Sequence, residues 1–449
     1  MSDTYQEELY AKLTNQFYHR FDEFIIRKWC DRPEKEVIEE TDRKSAYKRF
    51  YSQIKGENIA SQQTVRKWFG LGEKYSIPSR ENIFKIALAT ELSVEEATEY
   101  LQCGISQPGF QENDYQEFIV MYCLDNKCGL EKCQRMIEFY EQKSQFVGKW
   151  EQISCTTWLR EQYHIVKKYT PEEFLVWMHK HQKYFKGYSM TVLNCYRHLI
   201  EQCLSMLRQD IREGLDRALR DEGFFEWFSE NYPRKEYDAQ VIERFVKNKL
   251  RLRKQPMSAQ NAKEIRNMLA IVYAPQNRIS DLILEIYATM PGRKKNNGNF
   301  MIYNTLGNQI KRVDNKYISE LLNIAILKEK QMVLQMEVAK ETDEKIKKQK
   351  QKELRKFKQR IHLLQRSDVL VLVQYIVYQK TLKKVEQGDN YVAEQAQREF
   401  RESADRILGL CGMRKLDEGY MLDFVLLSCF DNAEMYLFSD VIEEADLRT

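Results

Sequence analysis

The sequence predicts an all-α protein, and three observations carry that expectation. Pro (8) and Gly (17) are scarce in 449 residues, and few breakers combined with abundant Glu, Lys, Gln and Leu favour long helices. Apolar residues recur at three- and four-residue spacing, as Leu9, Leu13, Phe17, Phe21, Phe24, Ile25 and Trp29 do, which is the signature of one helix face. Strand patterns are few. The run Val369–Tyr378, VLVLVQYIVY, has β-propensity but lies between strongly helical segments. The length implies roughly two to four domains.

Taken in order, residues 5–29 read as a first helix, and the acidic segment Asp31–Glu40 breaks at Pro33. Residues 1–40 are therefore an N-terminal helix with an acidic linker. Residues 41–110 form a module of short helices that closes at Ser106–Pro108–Gly109. Residues 111–290 read as a helical domain. Asp114 caps a helix through Leu124, and Leu130–Gln145 is its hairpin partner. A helix follows over Thr157–Tyr169, and Thr170-Pro171-Glu172-Glu173 opens another through Lys180 with a cap, a Pro at the first position and two acids on the dipole. A long helix runs from about Ser189 to Leu219, followed by 236–252, 258–272 and 278–290, with Pro256, Pro275 and Pro291 between them. The basic loop PGRKKNNGN, 291–299, divides this domain from a C-terminal helical domain over 300–449. There Lys316–Arg366 holds no Pro or Gly for 51 residues. That predicts one long charged helix near 316–366, a coiled-coil arm or exposed stalk.

Composition narrows the function classes. Charged residues make up 31%, yet the net charge is only +4, so the chain is no polycation that coats nucleic acid or anionic lipid indiscriminately. The longest clean apolar run, Val369–Tyr378, is about half of what a bilayer needs. Ten cysteines at irregular spacing, several at apolar helical positions, do not make a disulfide framework. The first ten residues are acidic and polar, without a leader pattern. The expectation is a cytoplasmic protein with reduced thiols and no membrane partner.

Charge is uneven along the chain. Between Thr41 and Thr90 there are ten Lys and Arg against four acids, an excess larger than that of the whole protein. Within this segment Ala60–Leu101 reads as three short helices with clear boundaries. Ser61 caps SQQTVRKWFG, in which Val65, Trp68 and Phe69 fall on one side and Gln62, Gln63, Arg66 and Lys67 on the other. Gly70 or Gly72 ends it in the left-handed cap position. Ser79, after Pro78, caps a second helix with Ile83, Ile86 and Ala87 turned inward. Ser93 caps a third, with Glu96 completing a capping box and Ala97, Tyr100 and Leu101 on the apolar face.

This pattern resembles the Cro/repressor-type, lambda-repressor-like helix-turn-helix family over residues 45–105. The residues that carry the likeness are Ser61, Thr64, Val65 and Trp68, then Gly70 and Gly72, Pro78-Ser79, Ile83, Ile86, Ala87, Leu92-Ser93 and Leu101. Two features depart from the family pattern. RFYSQIKGENI stands where a T-Q-x-x-L-A helix normally lies, and the turn from Phe69 to Pro78 is longer. The resemblance implies a recognition helix in the major groove. Gln62 and Gln63 would read adenine and Arg66 guanine. Ser61, Lys67, Lys74, Ser79 and Arg80 would meet phosphates. It also implies double-stranded DNA as partner and a homodimer on paired half-sites. The competing reading is a three-helix packing unit whose polar face is solvated.

Other signals are weaker. Cys123, Cys128 and Cys133 are spaced more widely than paired zinc ligands, and buried thiols account for them. His179 and His181 point to different faces of one helix. No phosphate-binding loop, nucleophile elbow or paired-carboxylate constellation is present. The expectation is a non-enzyme without cofactor or metal. Lys340–Lys358 reads as a solvated charged helix, and Phe224, Phe225, Trp227 and Phe228 as core or domain-interface packing. The functional expectation is a DNA-binding transcriptional regulator with a helical sensing or oligomerisation body. The alternative is a non-enzymatic scaffold, with a protein or peptide partner on the helical body and a helix-turn-helix kept for packing only.

Overall fold

A computed structural model describes residues 18–30, 38–144, 155–232, 236–252, 254–273, 313–432 and 434–447, together with isolated positions around Leu9 and Ile283. The described residues form twenty α-helices and no strand, with one isolated bridge between Phe430 and Met435. The all-α expectation holds. Among the described residues no helix is long and apolar enough to cross a membrane.

Most helix starts follow from a side chain that accepts the free N–H groups of the first turn. Helix α1 is Phe21–Cys30 and α2 is Glu40–Ile54. Ser61, Ser79 and Ser93 open α3 (Gln62–Trp68), α4 (Arg80–Ala89) and α5 (Val94–Glu99), each hydroxyl accepting from the backbone three residues on. Asp114 opens α6 (Tyr115–Asp125), which pairs with α7 (Gly129–Lys143). After α8 (Thr156–Val166), Thr170 and Glu173 form the capping box of α9 (Pro171–Lys180). Ser189 opens the 32-residue α10 (Met190–Asp221), about 48 Å long at the helical rise. Helices α11 (Phe224–Asn231), α12 (Ala239–Leu250) and α13 (Ala259–Val272) follow.

Several expectations are corrected. The first helix is not continuous from 5 to 29, because Tyr18–Arg20 are not helical and α1 begins only at Phe21. The His19 N–H there donates to the Gly419 carbonyl at 2.8 Å, which holds this segment against the C-terminal half. The long helix near 316–366 is three helices: α14 (Asn315–Leu322), α15 (Ile324–Lys340) and α16 (Glu344–Lys358). The break falls at Glu341–Asp343, where Glu341 turns extended and the Asp343 carboxylate accepts from the N–H groups of Lys345 and Ile346. Lys350 then folds back onto Glu337 at 3.3 Å and Glu341 at 3.1 Å, so α15 and α16 form a hairpin instead of a stalk. A capping aspartate therefore ends the run without any Pro or Gly. Helix α16 has no buried residue, as a solvated charged helix should.

The run Val369–Tyr378 lies inside α17 (Arg366–Glu386), and Val369 to Val377 are all buried. A helix that is apolar on every side is buried on every side. Around it pack α18 (Ala393–Leu410), α19 (Met421–Ser428) and α20 (Phe438–Leu447). The buried Gln374 amide donates to the Tyr436 carbonyl at 2.7 Å and accepts from the Phe438 N–H at 3.3 Å, which pins the C-terminal turn to the core.

Packing also divides the chain differently from 1–40, 41–110, 111–290 and 300–449. One core joins Phe21, Phe50, Trp68 and Ile86 to Phe118, Tyr122, Phe174 and Phe185, and takes in Met332 and Met336 from α15. The expected boundary at 110 is thus crossed by continuous apolar contact. A second core unites the first half of α10 (Tyr196, Leu199, Ile200, Cys203, Leu204) with α14 and α17–α20. A third forms around Leu215 and Leu219 at the far end of α10, with α11–α13. In it Phe224 is fully buried, with Phe225, Trp227 and Phe228 packed partly buried beside it. The expected loop at 291–299 and most of the expected helix 278–290 lie outside the described residues, as does the Pro33 break.

Candidate functional site

The module begins with how α3 is anchored. Val65, Trp68 and Phe69 are fully or almost fully buried. Trp68 meets Phe21 edge-on at 6.4 Å, and Phe69 packs on Phe50 at 5.4 Å. Gly70 takes φ +65° and ends the helix, its N–H reaching the Lys67 carbonyl at 3.2 Å while the Leu71 N–H reaches Arg66 O at 2.9 Å. A side chain there is strained by the left-handed backbone, and its Cβ would come 2.7 Å from an Arg20 guanidinium nitrogen, which would have to move. Arg20 in turn lies 4.1 Å over the Tyr75 ring and pairs with Asp22 at 3.0 Å, and the Tyr75 hydroxyl accepts from the Phe21 N–H at 3.0 Å. The long turn from Phe69 to Pro78 is thus fastened to α1.

Opposite this anchored face, Gln62, Gln63 and Arg66 are exposed. Arg66 donates to the Leu71 carbonyl at 3.2 Å and sits 5.8 Å above the Tyr47 ring, so its head is oriented by the helix's own C-terminal turn. Lys67 is half-buried with its stem against Gly72, and Lys74 is exposed. Ser61 and Ser79 are exposed, but their hydroxyls accept from the N–H groups of Thr64 and Asn82, both at 3.2 Å.

Arg80 is placed elsewhere. Its guanidinium binds Glu117 at 2.8 and 2.7 Å and the carbonyls of Pro108 and Gly109 at 2.6 and 2.7 Å. The expected phosphate contact from Arg80 is corrected on this ground: its donors are spent on Glu117 and two loop carbonyls inside the protein. Arg43 is likewise tied to Asp22 at 2.9 Å and Glu23 at 3.1 Å. The basic excess counted along 41–90 is therefore larger than the excess presented to solvent.

The thiols of Cys123 and Cys133 are buried, and Cys123 Sγ lies 3.7 Å from Met136 Sδ. His179 stacks on Tyr140 at 4.8 Å, and His181 packs at a tilt against Trp177 at 4.5 Å, so both are held in aromatic contacts.

One feature was not legible in the sequence. A cavity of about 590 Å³ opens between α4, α6 and α7 on one side and α15, α10 and residues 358–364 on the other. Its walls come from segments far apart in the chain, and their apolar members read simply as core. The one sequence signal was a polar residue, Gln335, on the apolar face of α15 beside Met332 and Met336.

No family model matches the chain, and no curated protein or solved structure shows significant similarity to it.

Proposed function

We propose that the chain is a DNA-binding transcriptional regulator in which α3 meets the major groove and the helical body senses a ligand or mediates assembly. The observation that carries this reading is the two-sidedness of α3. Its apolar side is locked by Trp68 and Phe69, and Gln62, Gln63 and Arg66 are exposed on the other. Glutamine amides match the N6/N7 edge of adenine and a guanidinium matches O6/N7 of guanine. Lys67 and Lys74 supply phosphate contacts that fix register, while Arg80 serves the fold. Two copies on paired half-sites, as the resemblance implies, would double the contact surface.

A scaffold reading has one observation in its favour: the core runs without a break from Trp68 and Ile86 into Phe118 and Phe174, as in a packing unit. Selection from a random duplex pool separates the two. The regulator enriches one motif, and Arg66→Ala weakens binding to it by about 1–3 kcal/mol and relaxes preference at one base position. A scaffold enriches no motif.

A further inference from the structure

The cavity between α4, α6 and α7 on one side and α10 and α15 on the other carries chemistry that the DNA reading does not use. Most of its wall is apolar, with Phe84, Ile137, Leu193 and Met332 among the contributors. Its polar groups divide into spent and free. Arg80 is bound to Glu117, and Lys328 pairs with Asp114 at 3.3 Å. Lys85 and Lys358 line the same space, and among the described residues neither is in an ion pair. Lys358 acts electrostatically on Glu141, which is already bonded to Tyr115 and Gln116. Glu81 is the one lining acid not engaged in an ion pair.

The decisive group is Gln335. It is only 7% exposed, it lines the cavity, and its amide makes no hydrogen bond to any described residue. Its oxygen and nitrogen are not among the fully occluded polar atoms that lack a partner, so they remain accessible on a residue that lines the cavity. An amide that makes no hydrogen bond within the protein and stays accessible can exchange water for a ligand that supplies a donor and an acceptor. A peptide-type amide offers both at once.

We propose that this cavity binds an amphipathic amide carboxylate: a molecule with an apolar body, an amide that pairs with Gln335 and a carboxylate drawn to Lys85 and Lys358. Its volume is in the range of small-molecule sites. N-acyl amino acids and short apolar peptides share this chemistry. The site stands apart from the DNA reading, because binding is measured with no DNA present.

The test is calorimetric titration of the full chain with N-octanoyl-leucine and with trileucine, for the parent and for Gln335→Met, Lys358→Met and the exposed-site control Lys348→Met. Saturable binding with one site per chain is expected for at least one probe. The tighter probe assigns the acyl or the peptide source. Gln335→Met and Lys358→Met should each weaken it about tenfold or more, and Lys348→Met should leave it unchanged. Because Met keeps the shape of Gln and the amide makes no hydrogen bond within the protein, the Tm of ligand-free Gln335→Met should equal or exceed that of the parent. Absence of saturable binding by both probes at millimolar concentration overturns the proposal. So does binding equal to the parent in both cavity variants, or a lowered Tm in Gln335→Met, which would make the amide structural.

Discussion

Asp423→Ala is expected to lower stability by about 3–5 kcal/mol, the scale for stripping one partner from a buried ion pair. Asp423 is fully buried and Arg366 is 5% exposed. The guanidinium binds the carboxylate at 2.8 and 2.5 Å, and donates to the carbonyls of Arg414 at 2.5 Å and Lys415 at 2.9 Å. The Asp417 N–H adds a further bond to Asp423 at 3.0 Å. One carboxylate thus joins the start of α17, the 414–417 turn and α19. Arg414, mostly buried and 3.7 Å from the same carboxylate, would share with Arg366 a site that has lost its counter-charge. The midpoint of urea denaturation measures the loss. The double variant Arg366→Met, Asp423→Leu should regain only part of it, since the apolar pair removes the isolated charge of Arg366 but leaves the Arg414 and Lys415 carbonyls, the Asp417 N–H and the Arg414 guanidinium without their partners. A loss below about 1 kcal/mol, the scale of an exposed pair, would contradict this account of the C-terminal core.

Arg80→Ala is expected to destabilise by about 3 kcal/mol. The side chains of Arg80 and Glu117 are 13% and 11% exposed. Arg80 satisfies two loop carbonyls as well as Glu117, and Glu117 also accepts from the Gln111 N–H at 2.7 Å. Removing the guanidinium leaves a nearly buried carboxylate and two carbonyls short of donors, and loosens α4 from α6. Paired measurements decide its role. The denaturation midpoint should fall, while the salt dependence of DNA binding by the folded variant should keep the parent slope, because no phosphate contact is lost. A shallower salt slope with unchanged stability would return Arg80 to the DNA surface.

What could be read in the sequence was local. Ser61, Ser79, Ser93, Asp114 and Thr170 all cap the helices they were expected to cap, because a cap depends on residues two or three positions away. Asp343 obeys the same rule, yet its signal was lost in a charged run where a helix without breakers looked continuous. The two-sidedness of α3 followed from helical spacing, and Val65 and Trp68 are buried accordingly. Where a charged side chain spends its hydrogen bonds is a tertiary matter. Arg80 finds Glu117 and Arg366 finds Asp423 across 37 and 57 residues, and no periodicity marks either pair. The cavity was hidden for the same reason, except at Gln335.

The central claim is that the outer face of α3 binds DNA. The most direct test is fluorescence anisotropy of labelled duplex DNA with the parent chain and with Arg66→Glu, Lys67→Glu, at low and moderate salt. The account predicts binding that weakens steeply with salt and is lost in a double variant whose denaturation midpoint and helical circular dichroism show it folded. Absence of binding by the parent, or equal binding by the variant, would contradict it and leave α3 as a packing helix.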